Sequence, residues 1–597
     1  MPRITRQRRT HRILITGAAL ATVGALTAAL PAGTSASADG HDDRRGKART
    51  VDVQLLSFND LHGNLEPPTG SSGRVTERQP DGTVKPIEGV GGIEYLAASL
   101  RTARKGQEYS VTAAAGDLIG ASPLLSGLFH DEPTVEALNK LDLDVSGVGN
   151  HEFDEGLAEL KRMRDGGCHP TDGCYTETPF EGADFPYLGA NVTHEGTGKT
   201  ALAPYWVWKQ GPVKIGFIGV TLENTPGIVT AEGVEGLEFH DEVETINKYA
   251  DELHRKGVKS VVALVHEGGA PADGAYNAYC DAEAGGVSGP IVDIAKNVSP
   301  KVDALVTGHT HNAYVCDIPD PAGNSRMVTS AASFGRLYTD TTLTYDVATK
   351  DIVRTAVESA NHVVSRTQKP AGDMSDLIEH WNALAKPVAN RPIGWISGDI
   401  TKTGTESPLG DLIADAQLEH ARTIDPDTAF ALMNPGGIRA DLIHAQSGSE
   451  GDGVVTYGEG FTVQPFSNTV NLVDLTGADV VAALQQQVSG GNAASPKILQ
   501  VSEGLTYTLD LTKSGADRLV ADSVRIQGRP VDLTATYRVA MNNFLAGGGD
   551  NFPALAKGTD PVVGSDDLTA FADYLTANSG PASPIAPPAA NRITIVK

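Results

Sequence analysis

With 597 residues, the chain is longer than a single hydrophobic core usually supports, so two to four domains are expected. Hydrophobic residues make up 40% of the sequence, which excludes a disordered or low-complexity chain. The formal net charge of −26 excludes a protein that binds the phosphate backbone of a nucleic-acid duplex. An acidic protein that handles an anionic substrate needs metal cations or local arginines to do so.

The N-terminus has the composition of a secretory signal. Five arginines precede or border an apolar stretch at residues 13–30, and small residues follow at 36–38. We therefore expect a signal peptide at 1–38, a secreted protein, and a flexible charged segment at 39–50. A membrane anchor is the alternative. Gly and Thr residues interrupt the apolar stretch and Pro31 follows it, so we expect no membrane span in the mature chain.

Four cysteines form an even set in a chain that is expected to be exported. Pairing between sequence neighbours joins Cys168 to Cys174 and Cys280 to Cys316, and two other connectivities are possible. A zinc site is the alternative. It is less favoured because the sequence contains no CxxC spacing.

The first half of the chain repeats one format, in which a short apolar run is followed by a polar side chain. The runs that read as strands are 51–58, 110–116, 145–148, 258–265 and 302–308. Helix-like stretches between them are 93–104, 134–141, 156–164 and 242–256. Alternating strands and helices predict an α/β domain, whose ligands bind at the carboxyl ends of the strands. The residues delivered there are Asp60, His62, Asp117, Asn150, His151, His266, His309 and His311.

Each of these residues alone has a structural explanation. Asp60 and Asp117 could cap helices, and a lone buried histidine is usually a satisfied core residue. In the segment 149–154, Asn150 could be a helix cap, with the acidic residues after it at the positive end of the helix dipole. The occurrence of such residues at five strand ends indicates one shared functional site instead of separate structural roles.

Aspartates, imidazoles and an amide form a mixed oxygen and nitrogen ligand set. It suits Zn, Mn, Fe or Co, and Mg less well. Six or seven ligands are too many for one tetrahedral ion. Two ions roughly 3.5–4 Å apart, bridged by a carboxylate, would use them all.

These motifs resemble those of the calcineurin-like metallophosphoesterases. In chain order they are Asp60-x-His62, Gly116-Asp117, Gly149-Asn150-His151-Glu152, His266 and Gly308-His309-x-His311. The extended forms at 59–63 and 149–154 resemble the exported 5′-nucleotidase and UDP-sugar hydrolase branch. The resemblance implies an N-terminal α/β-β-α sandwich and a separate C-terminal α/β substrate-binding domain of the 5′-nucleotidase type. We place the catalytic domain at 51–360, a linker helix at 361–390 and the C-terminal domain at 391–597.

The resemblance also implies a role for each metal-site residue. Asp60, His62, Asp117 and His311 hold one ion, whereas Asp117, Asn150, His266 and His309 hold the other, so that Asp117 bridges. His151 is then a general acid or positive donor at the scissile phosphate, and Asp154 orients its imidazole. The implied reaction is in-line attack of a metal-bound hydroxide on a nucleotide, without a covalent enzyme intermediate. No catalytic role falls to Glu152, which caps or stabilises the loop.

In the C-terminal half, three segments resemble the nucleotide-binding domain of the same family. They contain the predicted substrate-binding residues Asn434, Arg439, Phe466, Asn468, Phe544 and Asp550. The arginine beside a Gly turn suits a phosphate or ribose, and the two phenylalanines could sandwich a base. By the resemblance, Asp550 binds the ribose hydroxyls, and the two asparagines contact base or sugar. Core packing is the alternative for the phenylalanines.

One departure from the family bears on the substrate. Relatives that act on nucleoside monophosphates often carry extra arginines just before the helix that begins near Gly410, but residues 403–408 contain none. Arg439 then acts alone or with Lys402. The alternatives are a 2′,3′-cyclic-nucleotide phosphodiesterase with 3′-nucleotidase activity, or a non-catalytic secreted nucleotide-binding or adhesive protein. We expect a monomer whose partner is a nucleotide or nucleotide sugar.

Overall fold

The computed structural model describes residues 50–230, 233–272, 274–277, 280, 286–466 and 468–597. The expected signal peptide at 1–38 and nearly all of the expected flexible segment at 39–50 lie outside the described residues. In the described part of the chain, no helix has the length and apolar character needed to cross a membrane.

The first sheet of the N-terminal half is mostly parallel around its centre. In spatial order its strands are Asp351–Ile352, Leu337–Asp346, Thr50–Phe58, Ser110–Ala115, Val145–Gly147 and Tyr187–Leu188, and Glu358–Val363 also pairs with Leu337–Asp346. The strands from Thr50–Phe58 to Tyr187–Leu188 are parallel, with Leu55 opposite Val111. Their carboxyl ends therefore meet at one edge.

A second sheet faces the first. Its strands in order are Ala313–Asp317, Met327–Ala331, Ala304–Thr307, Ser260–His266, Val213–Thr221 and Tyr205–Gln210. The four strands from Met327–Ala331 to Val213–Thr221 are parallel. Between the sheets lies one apolar core that includes Val53, Leu55 and Val111 from the first sheet and Phe217, Val262 and Leu264 from the second. Fully buried strands explain why the sequence shows continuous apolar runs rather than alternation.

Helices cover the outer faces of both sheets. Ile93–Ala103, Leu124–Gly127, Glu132–Lys140 and Gly156–Asp165 cover the first sheet, and Glu242–Arg255 and Pro290–Asn297 cover the second. The resulting order of layers is helix, sheet, sheet, helix, as expected for the N-terminal domain. Short strand pairs lie at its periphery: Arg74–Arg78 with Val84–Glu88, Val192–His194 with Leu237–Phe239, and Ala270–Pro271 with Val287–Ser288.

A long helix, Gly372–Ala389, lies inside the segment assigned to the linker. Trp381 on this helix is fully buried in the core that the first sheet shares with its helices, and its indole N–H donates to Glu136 Oε2 at 3.1 Å. Pro387 does not end the helix. The helix ends two residues later, so the missing proline N–H costs only one hydrogen bond in the last turn.

The C-terminal half is a separate α/β unit. Its main sheet has the order Gln500–Val501, Phe430–Met433, Thr536–Asn542, Thr469–Thr476 and Thr559–Asp566. Helices Pro408–Ile424 and Asp567–Asn578 pack on one face and Gly477–Gln486 on the other. Smaller elements are the sheet of Arg529–Pro530, Arg525–Ile526, Leu505–Asp510 and Ile593–Val596, the pair Pro392–Trp395 with Val454–Thr456, and the helices Tyr457–Val463 and Asn543–Ala546. The two-domain α/β architecture predicted from the sequence is confirmed.

Both expected disulfides are present. Cys168 pairs with Cys174, and Cys280 pairs with Cys316, so each cysteine bonds its neighbour in the sequence. The prediction of this connectivity is confirmed.

Arg326 is an unusual core residue because its whole side chain is buried. Its guanidinium donates hydrogen bonds to the carbonyl oxygens of Ala295, Val298, Ser299 and Val302 at 2.6–3.1 Å. These carbonyls lie at and beyond the end of the helix Pro290–Asn297, where backbone acceptors lack intrahelical partners. One side chain thus donates hydrogen bonds to the carbonyl oxygens of the turn that leads into the second sheet.

We expect Arg326→Met to lower the free energy of unfolding by about 3–5 kcal/mol, because it leaves several buried carbonyl oxygens without donors. The apparent midpoint of urea unfolding, followed by circular dichroism, measures this. Arg164→Met is the matched control, since Arg164 is partly exposed and pairs only with Asp165, and it should cost less than about 1 kcal/mol. Equal midpoints for the two variants would contradict the prediction.

Candidate metal centre and active site

The predicted ligands meet at the edge where the strands of both sheets end. Asp60 and His62 follow Thr50–Phe58, Asp117 follows Ser110–Ala115, and Asn150 follows Val145–Gly147. His266 is the last residue of Ser260–His266, and His309 and His311 follow Ala304–Thr307. The structure therefore brings all seven side chains into one crevice between the two sheets.

The first group of ligand atoms comes from Asp60, His62, His311 and Asp117. His62 Nε2 lies 3.1 Å from His311 Nε2 and 3.6 Å from Asp117 Oδ2, and His311 Nε2 lies 3.4 Å from Asp60 Oδ1. His62 Nδ1 donates to the carbonyl oxygen of Gly120 at 2.9 Å, so Nε2 carries the lone pair. Burial lowers the pKa of His62 and of His311 well below the usual value. Both imidazoles are therefore neutral at physiological pH, and each can offer a nitrogen lone pair to a metal ion.

The second group comes from Asp117, Asn150, His266 and His309. His266 Nε2 lies 2.9 Å from Asp117 Oδ2, and His309 Nδ1 lies 3.1 Å from Asn150 Oδ1. His266 Nδ1 donates to the carbonyl oxygen of Ala115 at 2.7 Å, which again turns Nε2 toward the crevice. Asp117 belongs to both groups and is 1% exposed.

This donor set fits divalent metal ions. Two Nε2 atoms 3.1 Å apart repel each other unless a cation or a proton lies between them, and the neighbouring carboxylates of Asp60 and Asp117 add negative charge. Carboxylate and imidazole donors are the ligands that Zn²⁺, Mn²⁺, Co²⁺ and Fe²⁺ accept. In both groups a backbone carbonyl holds the second nitrogen of a histidine, as is typical of metal-binding imidazoles.

The backbone at the crevice is strained. Five of the seven predicted ligands have a left-handed φ: Asp60 (50°), His62 (46°), Asp117 (50°), His309 (67°) and His311 (58°). Such a conformation costs a non-glycine residue free energy and persists where the surrounding structure enforces it, often at functional sites.

Glu152 stabilises the loop that contains it, as expected from the sequence, and it also holds a second ligand loop. Its carboxylate accepts hydrogen bonds from the backbone N–H groups of Asp117 (2.9 Å), Leu118 (2.8 Å) and Gly149 (2.5 Å). It therefore ties the Asp117 loop to the Asn150 loop. Burial and the charge of Asp117 raise the pKa of Glu152 to about 7. The sequence showed a carboxylate inside a ligand motif, which was the available signal for this role. It did not show the hydrogen-bond partners at Asp117 and Leu118, because they are distant in sequence.

Asn59 has a similar supporting role. Its side-chain amide donates to Asp60 Oδ2 at 2.5 Å and to the carbonyl oxygen of Ala332 at 2.6 Å. The backbone N–H of His309 also donates to Asp60, at 3.0 Å. These bonds hold the Asp60 carboxylate in one orientation.

His151 and Asp154 form a pair beside the metal centre. His151 Nδ1 lies 2.8 Å from Asp154 Oδ2, and the backbone N–H of His151 donates to Asp117 Oδ1 at 2.9 Å. Burial opposes charge on the imidazole, but the carboxylates of Asp154 and Asp117 outweigh burial and raise the pKa of His151. The His151 ring contacts that of His62, with centroids 5.1 Å apart.

Two predicted substrate residues reach this centre from the C-terminal half. The ring of Phe466 stacks on His151, with centroids 5.6 Å apart and planes 23° apart. The guanidinium carbon of Arg439 lies 5.7 Å from the centroid of Phe466. The charge of Arg439 also lowers the pKa of His62 and His311, after the larger effect of burial. Arg439 therefore faces the metal centre.

The other four predicted substrate residues lie further along the same half. Asn434 donates to Asp550 Oδ2 at 2.8 Å, and the backbone N–H of Asp550 donates to Gly227 of the N-terminal half at 3.1 Å. Asn468 is buried, and its carbonyl oxygen accepts from the N–H of Asp567. Phe544 packs against Gly549, where a Cβ would lie 2.5 Å from its ring. The base sandwich between Phe466 and Phe544 stays a prediction.

Two family models match the chain. The calcineurin-like phosphoesterase model covers residues 54–313, and the 5′-nucleotidase C-terminal domain model covers residues 390–557.

Known proteins match over most of the chain. The cell wall protein Lmo0130 of Listeria monocytogenes is 33% identical over 591 residues, which cover 95% of this chain and 70% of that protein. Endonuclease YhcR of Bacillus subtilis is 31% identical over 89% of this chain, which spans only 40% of that relative. The crystal structure of a 5′-nucleotidase precursor from Thermus thermophilus is 25% identical and superimposes with a TM-score of 0.71, over 92% of this chain and all of that one.

Together, the matched models, the relatives and the fold confirm the resemblance found in the sequence. The chain belongs to the calcineurin-like phosphoesterases that carry a 5′-nucleotidase C-terminal domain, and it is a metal-dependent phosphoric ester hydrolase.

Proposed function

We propose that the protein is a secreted dimetal phosphoesterase that hydrolyses nucleotides, of the 5′-nucleotidase and UDP-sugar hydrolase type. The observation that carries this proposal is the stacking of Phe466 on His151, with Arg439 over the Phe466 ring. An aromatic face and a guanidinium at the hydrolytic centre suit a substrate with a base and a phosphate. The solved relative from Thermus thermophilus is described as a 5′-nucleotidase precursor, which supports the same substrate class.

The metal-site residues divide into two overlapping sets. Asp60, His62, Asp117 and His311 would hold one ion, and Asp117, Asn150, His266 and His309 would hold the other. The ions are Zn, Mn, Co or Fe, with Mg less suited to so many imidazoles. When bound, they supply an activated water and neutralise charge on the phosphoryl oxygens.

The remaining chemistry comes from the His151 and Asp154 pair. Asp154 accepts a hydrogen bond from the Nδ1–H of His151, so Nε2 is the nitrogen that meets the substrate. From there the imidazole donates a hydrogen bond or a proton to an oxygen of the phosphate ester as the leaving group departs. Asp117 Oδ1 fixes the backbone of His151 and so couples this donor to the metal centre.

A phosphodiesterase is the second candidate. Residues 403–408 carry no arginine, and the Lys402 ammonium donates to the backbone carbonyls of Ile438 and Arg439 at 3.4 and 3.0 Å. Burial lowers the pKa of Lys402 to about 8, and Arg439 acts in the same direction. With few cations beside Arg439, a 2′,3′-cyclic nucleotide, which is a singly charged diester, needs less charge neutralisation than a monoester. The relative named as an endonuclease agrees with diester cleavage.

Export is part of the proposal. The signal-like segment at 1–38, the two disulfides and the relative described as a cell wall protein all favour a site of action outside the cytoplasm.

Phe466→Ala and Phe544→Ala test the base-binding assignment. We expect each variant to raise the KM for AMP, UDP-glucose or 2′,3′-cyclic AMP about 5- to 100-fold, since a base stacked on an aromatic ring contributes about 1–3 kcal/mol. Ribose 5-phosphate lacks a base, so its kcat/KM should change less than about 3-fold. Phosphate release, with a coupled phosphatase for the diesters, provides the measurement. The wild-type ranking of the substrates separates the two candidate functions.

Phe461→Ala is the matched control. Phe461 lies on the helix Tyr457–Val463, just before Phe466, and its ring packs against Gly127 of the N-terminal half. This variant should affect substrates with and without a base equally. Unchanged nucleotide KM values for Phe544→Ala would refute the sandwich, and unchanged values for both phenylalanine variants would refute the proposed base site.

A further inference from the structure

A second group of metal-ligand side chains lies outside the metal centre. His130 lies in the turn before the helix Glu132–Lys140, and His169 lies in the loop closed by Cys168 and Cys174. Glu155 precedes the helix Gly156–Asp165, and Glu159 lies in its first turn. One ligand atom from each of these two histidines and two glutamates lies within 4.8 Å of the others.

The two imidazoles are close together and share a carboxylate. The rings of His130 and His169 are stacked, with centroids 3.8 Å apart and planes 16° apart. Asp172 Oδ2 lies 3.0 Å from Nε2 of His130 and 3.7 Å from Nδ1 of His169. A carboxylate that accepts a ring N–H leaves the other ring nitrogen free as a lone-pair donor, which is the arrangement around metal-binding histidines.

The nitrogens that would bind the ion are then Nδ1 of His130 and Nε2 of His169. Ligation through Nε2 puts the His169 proton on Nδ1, which must give up the backbone N–H of Asp172 that it accepts at 3.1 Å and turn to the Asp172 carboxylate at 3.7 Å. His130 Nδ1 already lies 2.5 Å from Glu155 Oε2. Glu159 is held by two hydrogen-bonding nitrogens of Arg162, at 2.6–2.9 Å, which fixes the direction of its carboxylate. Ligation requires the stacked rings to rotate apart slightly, and the partial exposure of the cluster leaves room for this.

The structure also shows what competes for the cluster. Burial disfavours the charged form of His130, but hydrogen bonds to Glu155 and Asp172 outweigh it and raise its pKa to about 9. At neutral pH a metal ion must therefore displace a proton, as metal ions do at other histidine sites. The experiment must therefore exclude the alternative in which these side chains form ion pairs with one another and bind no metal ion.

We propose that His130, Glu155, Glu159 and His169 bind a third divalent metal ion, with Asp172 orienting both imidazoles. Two nitrogen and two oxygen donors match a tetrahedral Zn²⁺ site best, and Co²⁺ is a suitable substitute. Because Glu155 directly follows Asp154, this ion connects the loop of the catalytic pair to the disulfide loop at 168–174. Its role is structural, and it is separate from the two ions of the metal centre.

Counting bound zinc tests the proposal. A chelator first removes bound metal from the full-length protein with intact disulfides, and the protein is then dialysed against Zn²⁺ at pH 8. Elemental mass spectrometry measures the zinc bound per chain. His169→Asn should bind one zinc equivalent fewer than wild type. Asparagine retains a short acceptor for the backbone N–H of Asp172, which His169 Nδ1 now accepts at 3.1 Å. His254→Asn, at a half-buried histidine elsewhere, should bind as much zinc as wild type.

Two further variants separate this site from the metal centre. Asp172→Asn should weaken the affinity for the third ion about 10- to 100-fold without removing a ligand, as loss of a carboxylate behind a metal-binding histidine does. In an Asp117→Asn background, which disables the metal centre, one zinc equivalent should persist and disappear when His169→Asn is added. Zinc should also raise the melting temperature of Asp117→Asn but not that of the double variant. Equal zinc content with and without His169→Asn would overturn the proposal.

Discussion

His151→Ala is expected to lower kcat for a nucleotide substrate about 10²- to 10⁴-fold while the metal content stays at the wild-type level. The expectation follows from the position of the imidazole, which Asp154 holds at 2.8 Å beside the metal centre without making it a predicted ligand. Steady-state phosphate release and metal analysis on the same sample provide the measurement. Truncation of His151 to alanine removes the imidazole that donates to the leaving oxygen but keeps the predicted metal ligands in place.

His362→Ala is the matched control, because His362 is exposed and its ring stacks on Tyr338 away from the crevice. It should retain wild-type kcat. Asp154→Asn should give a smaller loss than His151→Ala, since the imidazole remains but is less well oriented. Full activity of His151→Ala on every nucleotide tested would exclude a role for this residue in the chemistry.

Asp117→Asn has the largest expected effect. Asp117 lies near both histidine groups, at 2.9 Å from His266 Nε2 and 3.6 Å from His62 Nε2. Asparagine keeps the oxygen that accepts from the backbone of His151 but removes the negative charge that would bridge the two proposed ions. We expect the loss of both ions of the metal centre and a fall in kcat of roughly 10³-fold or more, which corresponds to several kcal/mol of transition-state stabilisation.

Asp340→Asn controls for the removal of a partly buried carboxylate in the same domain, where Asp340 accepts a hydrogen bond from Gln54. It should retain both metal and activity. If Asp117→Asn kept the full metal content and more than a tenth of wild-type kcat, the bridging role of Asp117 would be wrong.

The meeting of the candidate metal ligands at one edge could be predicted because the relevant information is local. Each candidate ligand ends or follows a buried parallel strand, and parallel strands of one sheet end at a common edge. The observed strands Thr50–Phe58 and Ser110–Ala115 lie within one residue of the runs found in the sequence. Cysteine pairing was local too, because each cysteine bonds its sequence neighbour.

Residues that act through distant partners could not be found in this way. Glu152 holds backbone groups more than thirty residues away, and nothing in its own motif separates this role from that of a helix cap. The two histidines of the proposed third metal site lie on different loops, 39 residues apart, and neither follows a strand.

By itself, the sequence determined the chemistry of the centre: which side chains can bind metal, that a histidine and an aspartate accompany them, and that the second half carries the aromatic and arginine residues. Only the tertiary structure decided how the halves meet, with Phe466 on His151 and Arg439 facing the ligands. The physical reason is the range of the interactions. Strand periodicity and ligand spacing are properties of short segments, whereas the contact between the two halves depends on surfaces brought together from residues about 300 positions apart.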